Sequence, residues 1–201
     1  MTEISPRIAA EEGFESQAMT RANFTRLNVL LVDRSHYFRS LISQALRGFE
    51  VRHITSCDSG AAAQKHLEAA DFDLCLIDAE LPDMSGADLV RFIRRRKREH
   101  IRYVPVIMLL GFSQFRQVGA ARDAGANLVL RKPISPKGLF DRIVWLARTR
   151  RPYVELDTYI GPDRKFHDID PPDGAYKRAA DPADARGKKA RTDKPAMIAA
   201  Q

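Results

Sequence analysis

The chain has 201 residues, of which 44% are apolar and 29% charged, enough for one ordinary domain with tails and too apolar for a chain disordered throughout. A net charge of +7 leaves acidic partners and nucleic acid open. Two cysteines, Cys57 and Cys75, exclude a disulfide framework or a structural zinc site, and the longest apolar stretch, 104–112, is too short to span a bilayer.

Residues 1–26 are polar and mixed and read as a lead-in. No positive region followed by an apolar block opens the chain, so neither a signal peptide nor a membrane anchor is expected and the expected location is cytoplasmic. Residues 28–33 are a short apolar run ending in Asp33. Phe38, Leu41, Ile42, Ala45 and Leu46 then recur at spacings of three and four, the stripe of a helix that Gly48 ends. Val51 to Cys57 reads as a strand and Ser59 to Ala70 as an alanine-rich helix. Phe72 to Asp78 is a second apolar run ending in a carboxylate, followed by the turn cluster 81–86 and a helix carrying Leu89, Val90, Phe92 and Ile93. Pro105 to Leu110 reads as a strand, Gln114 to Ala124 as a helix, Leu128 to Leu130 as a short strand, and Pro136 to Arg148 as a closing helix.

Five strands, each followed by a helix, predict an α/β domain with a doubly wound, five-stranded parallel sheet over residues 27–150. The working site of such a sheet lies beyond the carboxyl ends of its strands. Asp33 ends the first strand, Asp78 ends the third, and Lys132 follows the fifth. Two carboxylates and an ammonium are therefore expected at one mouth.

The segment Leu-Ile-Asp-Ala-Glu-Leu-Pro-Asp-Met-Ser-Gly (76–86), with Lys132-Pro133 in register, resembles the phosphoacceptor segment and lysine-proline pair of bacterial two-component response-regulator receiver domains. The resemblance covers about residues 27–150 and implies the flavodoxin-like strand order 2-1-3-4-5. It also implies Asp78 as phosphoacceptor, Lys132 as the phosphate-contacting residue, Asp33 in an acidic pair that holds Mg²⁺, and a sensor histidine kinase, a phosphotransfer protein or another signalling protein as partner.

Three positions depart from that pattern. Arg34 stands where the second, metal-binding acid is expected, Leu110 where a hydroxyl is expected, and Val129 where a switching aromatic is expected. A guanidinium in place of a carboxylate disfavours a hard cation, so Mg²⁺ binding by Asp33, Asp78 and Glu80 is expected to be weak or absent. Either Glu80 compensates with an added oxygen, or Arg34 reaches in and pairs with Asp78 or Asp33. Leu110 and Val129 read as core-filling residues of a stiffened switch region.

The positive charge is concentrated. Residues 91–102 hold seven basic residues against Glu99 alone. Five consecutive ones, 94–98, would go right round a helix, which predicts a helix end projecting into solvent. After Arg151 six of the eleven prolines appear and no apolar period survives, so 151–201 reads as a Pro-rich, charged, mostly disordered tail. Within it, 159–165 (Tyr-Ile-Gly-Pro-Asp-Arg-Lys) loosely resembles a stretch that follows receiver domains in some bacterial proteins.

The resulting expectation is phosphorelay signal transduction by a stand-alone, atypical receiver acting through protein contacts, with at most a weak homodimer. The rival readings are a phosphorylation-independent pseudo-receiver scaffold and a basic nucleic-acid-binding module using the 91–102 helix end and the tail. No aromatic platform or recognition helix supports the nucleic-acid reading. An enzyme on the same fold is not expected, because residues 33–38 lack a Gly- or Ser/Thr-rich phosphate loop.

Overall fold

The structure is a computed structural model that describes residues 24–111, 117–149, 151–164 and 190–192. Five parallel strands, β1 (Asn28–Val32), β2 (His53–Cys57), β3 (Leu74–Asp78), β4 (Val106–Leu110) and β5 (Leu128–Arg131), lie in the order β2-β1-β3-β4-β5. The five-stranded parallel sheet is the one expected from the alternation of apolar runs and helical stripes, and its order is the one the family resemblance implies.

Neighbouring residues of each central strand face opposite sides, as the period of two requires. Leu30 and Val32 of β1, Cys75 and Ile77 of β3, and Met108 and Leu110 of β4 join one core. That core is covered by α2 (Gly60–Ala69), α3 (Gly86–Arg94) and α5 (Gln117–Asp123) through Ala63, Leu67, Leu89, Ile93 and Ala121. Val29, Leu31, Leu74, Leu76, Ile107 and Leu109 join the other. It is covered by α1 (His36–Gly48) and α6 (Pro136–Arg148) through Ile42, Leu46, Leu139, Ile143 and Leu146. Phe24 is buried and meets Phe140 edge-on at 5.7 Å. The packed domain thus reaches back three residues before Leu27. The rest of the expected lead-in, residues 1–23, lies outside the described residues.

Serines set the helix starts. The Ser35 hydroxyl accepts from Phe38 N at the head of α1, Ser85 from Asp88 N at α3, and Ser135 from Gly138 N at α6, where Pro136 opens the first turn. Gly86 is required by space. A Cβ there would stand 2.1 Å from the carbonyl oxygen of Asp78, so the glycine lets α3 start directly against the strand that carries Asp78.

Two expectations need correction. First, α3 stops at Arg94 and the chain turns at Arg95 before a single helical turn, α4 (Glu99–Arg102). The five consecutive basic residues therefore do not wrap a helix in solvent, and Arg94 is buried. Second, the chain beyond Arg151 is not featureless. β6 (Tyr153–Leu156) and β7 (Tyr159–Pro162) form an antiparallel hairpin, and β8 (Ala190–Thr192) pairs with the other edge of β6. Residues 165–189 and 193–201 lie outside the described residues.

The hairpin docks where β4 and β5 begin. Tyr153 is fully buried, its ring edge-on to Tyr103 at 5.2 Å, and its hydroxyl accepts from Asn127 Nδ2 at 3.0 Å. Gly125 adopts φ +95°, and a Cβ on it would meet the Ile160 carbonyl oxygen at 2.3 Å. A glycine is thus needed twice over, for its backbone angle and for the close passage of the hairpin. Arg164 closes the arrangement with a 2.9 Å ion pair to Asp123 of α5. The 159–165 stretch singled out in the sequence is therefore, as far as Arg164, part of the folded domain.

Candidate functional site

Asp33 and Asp78 meet because β1 and β3 are parallel neighbours, with Val32 opposite Ile77. Each carboxylate sits at the carboxyl end of a strand, where the ladder makes its last bonds, Asp33 N to the Cys57 carbonyl and Ala79 N to the Leu109 carbonyl. Asp33 is fully buried, and its carboxylate accepts from Ser35 N at 2.8 Å. Its carbonyl oxygen accepts from Arg39 at 2.6 Å. The start of α1 is thereby tied to the end of β1.

Lys132 enters from β5, its backbone N–H donating to the Leu110 carbonyl at 2.7 Å. The Lys132–Pro133 peptide is cis. Its ammonium stands 2.5 Å from Asp33 Oδ2 and 3.1 Å from Asp78 Oδ1 and lies over the Phe38 ring at 4.2 Å. The expected cluster of two carboxylates and one ammonium is therefore assembled, with the ammonium bridging both acids.

Asp78 is only 4% exposed. Burial pushes its carboxyl pKa up; the Lys132 ammonium pulls it down, and the Asp33 charge pushes it up again. The net direction is upward.

Arg34 and Glu80 stand at the mouth rather than inside. Arg34 pairs with Glu80 Oε2 at 3.3 Å, and the two side chains are 61% and 41% exposed. The expected contact of Arg34 with Asp78 or Asp33 is thus replaced by a pair with Glu80, which also accepts from Gln117 at 3.4 Å. The backbone of Glu80 is bridged to Ser85 across the turn. Leu110 is buried in the core against α3 and α5, and Val129 packs against the same cluster.

Two contributors were not singled out in the sequence. Asp83 accepts from the Gly60 and Ala61 N–H groups at 2.8 and 2.7 Å, which lowers its pKa and caps α2 from the loop that carries the site. The available signal was the acid in the 81–86 turn cluster facing a helix whose own cap residue, Ser59, makes no side-chain bond. Phe38 was read only as a helix-stripe residue, whereas it also forms a face beneath the Lys132 ammonium.

A doubly wound parallel sheet with two aspartates bridged by a lysine at its carboxyl edge places one charged site where such sheets bind their ligands. Residues 29–144 match the family model described as the response regulator receiver domain, and the chain belongs to that family. The chemotaxis protein CheY of Pseudomonas aeruginosa is 29% identical over 117 residues, covering 58% of this chain and 93% of that one. The transcriptional regulatory protein GltR of the same organism is 34% identical over 60% of this chain and 49% of its own length. Among solved structures, a response regulator from Chloroflexus aurantiacus superposes with a TM-score of 0.55 at 26% identity, covering 58% of this chain and 93% of that one. The receiver domain of the P. aeruginosa sensor histidine kinase PA1611, with magnesium coordinated in its active-site cleft, gives 0.52 at 28% identity, over 57% and 91%.

The donor set of this chain does not fit such a magnesium ion. A hard cation needs several free oxygens. Here the Asp33 and Asp78 carboxylates share the Lys132 ammonium, Glu80 faces Arg34, and position 34 offers no side-chain oxygen. Among the described residues no group of three acids, histidines or cysteines is arranged to hold a metal.

Proposed function

We propose that this receiver domain transmits a signal through protein contacts, with Asp78 as phosphoacceptor and Lys132 as the residue that binds the incoming phosphoryl group. The observation that carries this reading is the Lys132 ammonium lying 3.1 Å from Asp78 at the carboxyl edge of the sheet. A cation beside the nucleophile lowers the repulsion between a carboxylate and a phosphoryl donor. The donor that fits is a sensor histidine kinase or a phosphotransfer protein.

The disposition of the basic run supports a protein partner over nucleic acid. Arg91 pairs with Asp88, Arg96 with Glu68, Arg98 with Asp71 and Arg102 with Glu155, and Arg94 is buried. Most of the charge counted in the sequence is thus already neutralised within the chain, leaving little for counterion release. Among the described residues no helix is long and apolar enough to cross a membrane.

Incubation with acetyl phosphate followed by intact-mass measurement tests the reading. A single phosphoryl adduct on the wild type, absent from Asp78→Asn, is the expected result. An adduct that survives Asp78→Asn overturns it. A wild type that still binds its signalling partner while taking no adduct under any condition would favour the scaffold reading, for which the Arg34–Glu80 pair is the supporting observation.

A further inference from the structure

The misfit between this donor set and a magnesium ion has a positive counterpart. We propose that Arg34 supplies the mobile cation of this site, leaving Glu80 to bind the phosphoryl oxygens on Asp78, so that the chain takes a phosphoryl group without any divalent cation. This inference rests on Asp78 being the phosphoacceptor and adds the group that stabilises the product.

Four observations lead to it. The Lys132 ammonium is already committed, at 2.5 Å to Asp33 and 3.1 Å to Asp78. It can neutralise part of an added phosphoryl group but not all of it. The second cation at the mouth is Arg34, next in sequence to Asp33. Among the described residues it makes a 3.3 Å ion pair with Glu80, in which the two side chains are 61% and 41% exposed. Exposed pairs of that kind contribute little and exchange readily. Finally, Glu80 lies two residues beyond Asp78, so a guanidinium that reaches Glu80 is already at the rim of the phosphoacceptor.

Chemistry selects the direction of exchange. A planar guanidinium matches two phosphoryl oxygens with parallel N–H bonds, and a phosphoryl group offers more charge than one exposed carboxylate. Three carboxylates and two cations give the site a net formal charge of −1, and Arg34 opposes entry of a second cation by direct repulsion. With acetyl phosphate as donor, an Asp78 oxygen lone pair forms the new P–O bond. The P–O bond to the acetyl group breaks, and acetate leaves with that electron pair. No proton has to move. Arg34 then pairs with the bound phosphoryl oxygens and Glu80 is released. With Leu110 and Val129 buried in the core or packed against it, the exchange of Arg34 from Glu80 to phosphate is the local event that marks phosphorylation.

The test compares wild type, Arg34→Gln and Arg34→Asp with acetyl phosphate in excess Mg²⁺ or in EDTA, weighed intact, alongside calorimetric titration of each protein with Mg²⁺ alone. Arg34 is 61% exposed, so these variants are expected to fold. The expected results are equal labelling of the wild type in Mg²⁺ and EDTA, a loss of about tenfold for Arg34→Gln in EDTA, and labelling of Arg34→Asp only with Mg²⁺. Calorimetry should show no Mg²⁺ binding by the wild type and binding by Arg34→Asp. Wild-type labelling that needs Mg²⁺, wild-type Mg²⁺ binding as tight as that of Arg34→Asp, or equal labelling of Arg34→Gln and wild type in EDTA overturns the inference and leaves Asp78 as phosphoacceptor. Absence of label on all three proteins, Arg34→Asp in Mg²⁺ included, overturns the phosphoacceptor assignment itself.

Discussion

The two ends of the sheet each hold a cation, buried at one end and partly buried at the other, and they treat it in opposite ways. Where β4 and β5 begin, the Arg94 guanidinium donates to the carbonyl oxygens of Gly125, Arg102 and Val104 at 3.0, 2.8 and 2.8 Å, and to Asn127 Oδ1 at 3.0 Å. All four acceptors are neutral. Tyr153 of the hairpin closes over it, with the guanidinium 5.3 Å from the ring centre. Where β1 and β3 finish, the Lys132 ammonium is held instead by two carboxylates. A five-donor fork spread over fixed backbone oxygens has one geometry and no competitor, which makes an anchor. A point charge shared by two acids can be redistributed by any oxyanion that arrives, which makes a site.

That contrast is open to direct attack, and the anchor should respond most. Arg94→Met takes the guanidinium donor from three carbonyl groups and from Asn127 Oδ1, which keeps Val106 N and the Tyr153 hydroxyl as donors. The expected loss is about 3–5 kcal/mol by urea denaturation. Arg94→Lys should recover only part of it, since one ammonium cannot reach all four acceptors. Full recovery by lysine would mean that the charge, not the fork, is what the fold uses.

The hairpin side of the anchor should respond less. Tyr153→Phe keeps the buried ring but removes the hydroxyl that joins it to Asn127. A loss of about 1 kcal/mol is expected. Hydrogen exchange should show the change concentrated in β6 and β7 rather than around Lys132. Equal loosening at both ends of the sheet would merge the two regions into one.

At the site the sign reverses. The Asp78 pKa is raised in the folded chain, chiefly by burial, above its ordinary value of 3.8. The folded state therefore keeps this proton to higher pH than the unfolded state does. Stability falls as pH rises from about 3.8 to the raised value, and the full cost is present at pH 7. Asp78→Asn removes that cost, so its melting temperature at pH 7 should exceed the wild type's. The gain should vanish as pH falls to the ordinary carboxylate value. A variant less stable than wild type at pH 7 would show that the Lys132 bridge outweighs desolvation.

Smallest of all should be the basic run outside Arg94. Arg98 pairs with Asp71 at 2.6 Å, but both side chains are about half exposed. Arg98→Ala should change stability by less than about 1 kcal/mol. This variant, like the wild type, should show no salt-dependent affinity for duplex DNA in fluorescence anisotropy. A steep salt slope would return the basic run to the functional surface.

The sequence by itself determined the sheet, its two covered faces and the three residues that meet at its carboxyl edge. Those features depend on local periodicity and on where an apolar run ends in a carboxylate, and both are written along the chain. The strand order that the family resemblance implies then brings Asp33, Asp78 and Lys132 together. Which carboxylate Arg34 takes was not legible, because Asp33, Asp78 and Glu80 all lie within reach of its long side chain. The structure pairs it with Glu80, whose backbone is bridged to Ser85. Arg94 is chemically identical to Arg95 and Arg96, and its inward direction depends on its place on the last turn of α3, beside the Gly125, Arg102 and Val104 carbonyls and the Asn127 amide. Four-residue strands such as β6 and β7 carry too short a pattern to read. Their order comes from docking on Asn127, Gly125 and Tyr103 rather than from their own sequence. Only the tertiary structure decided these points, because a charged or short segment takes its conformation from the partner that three dimensions put beside it.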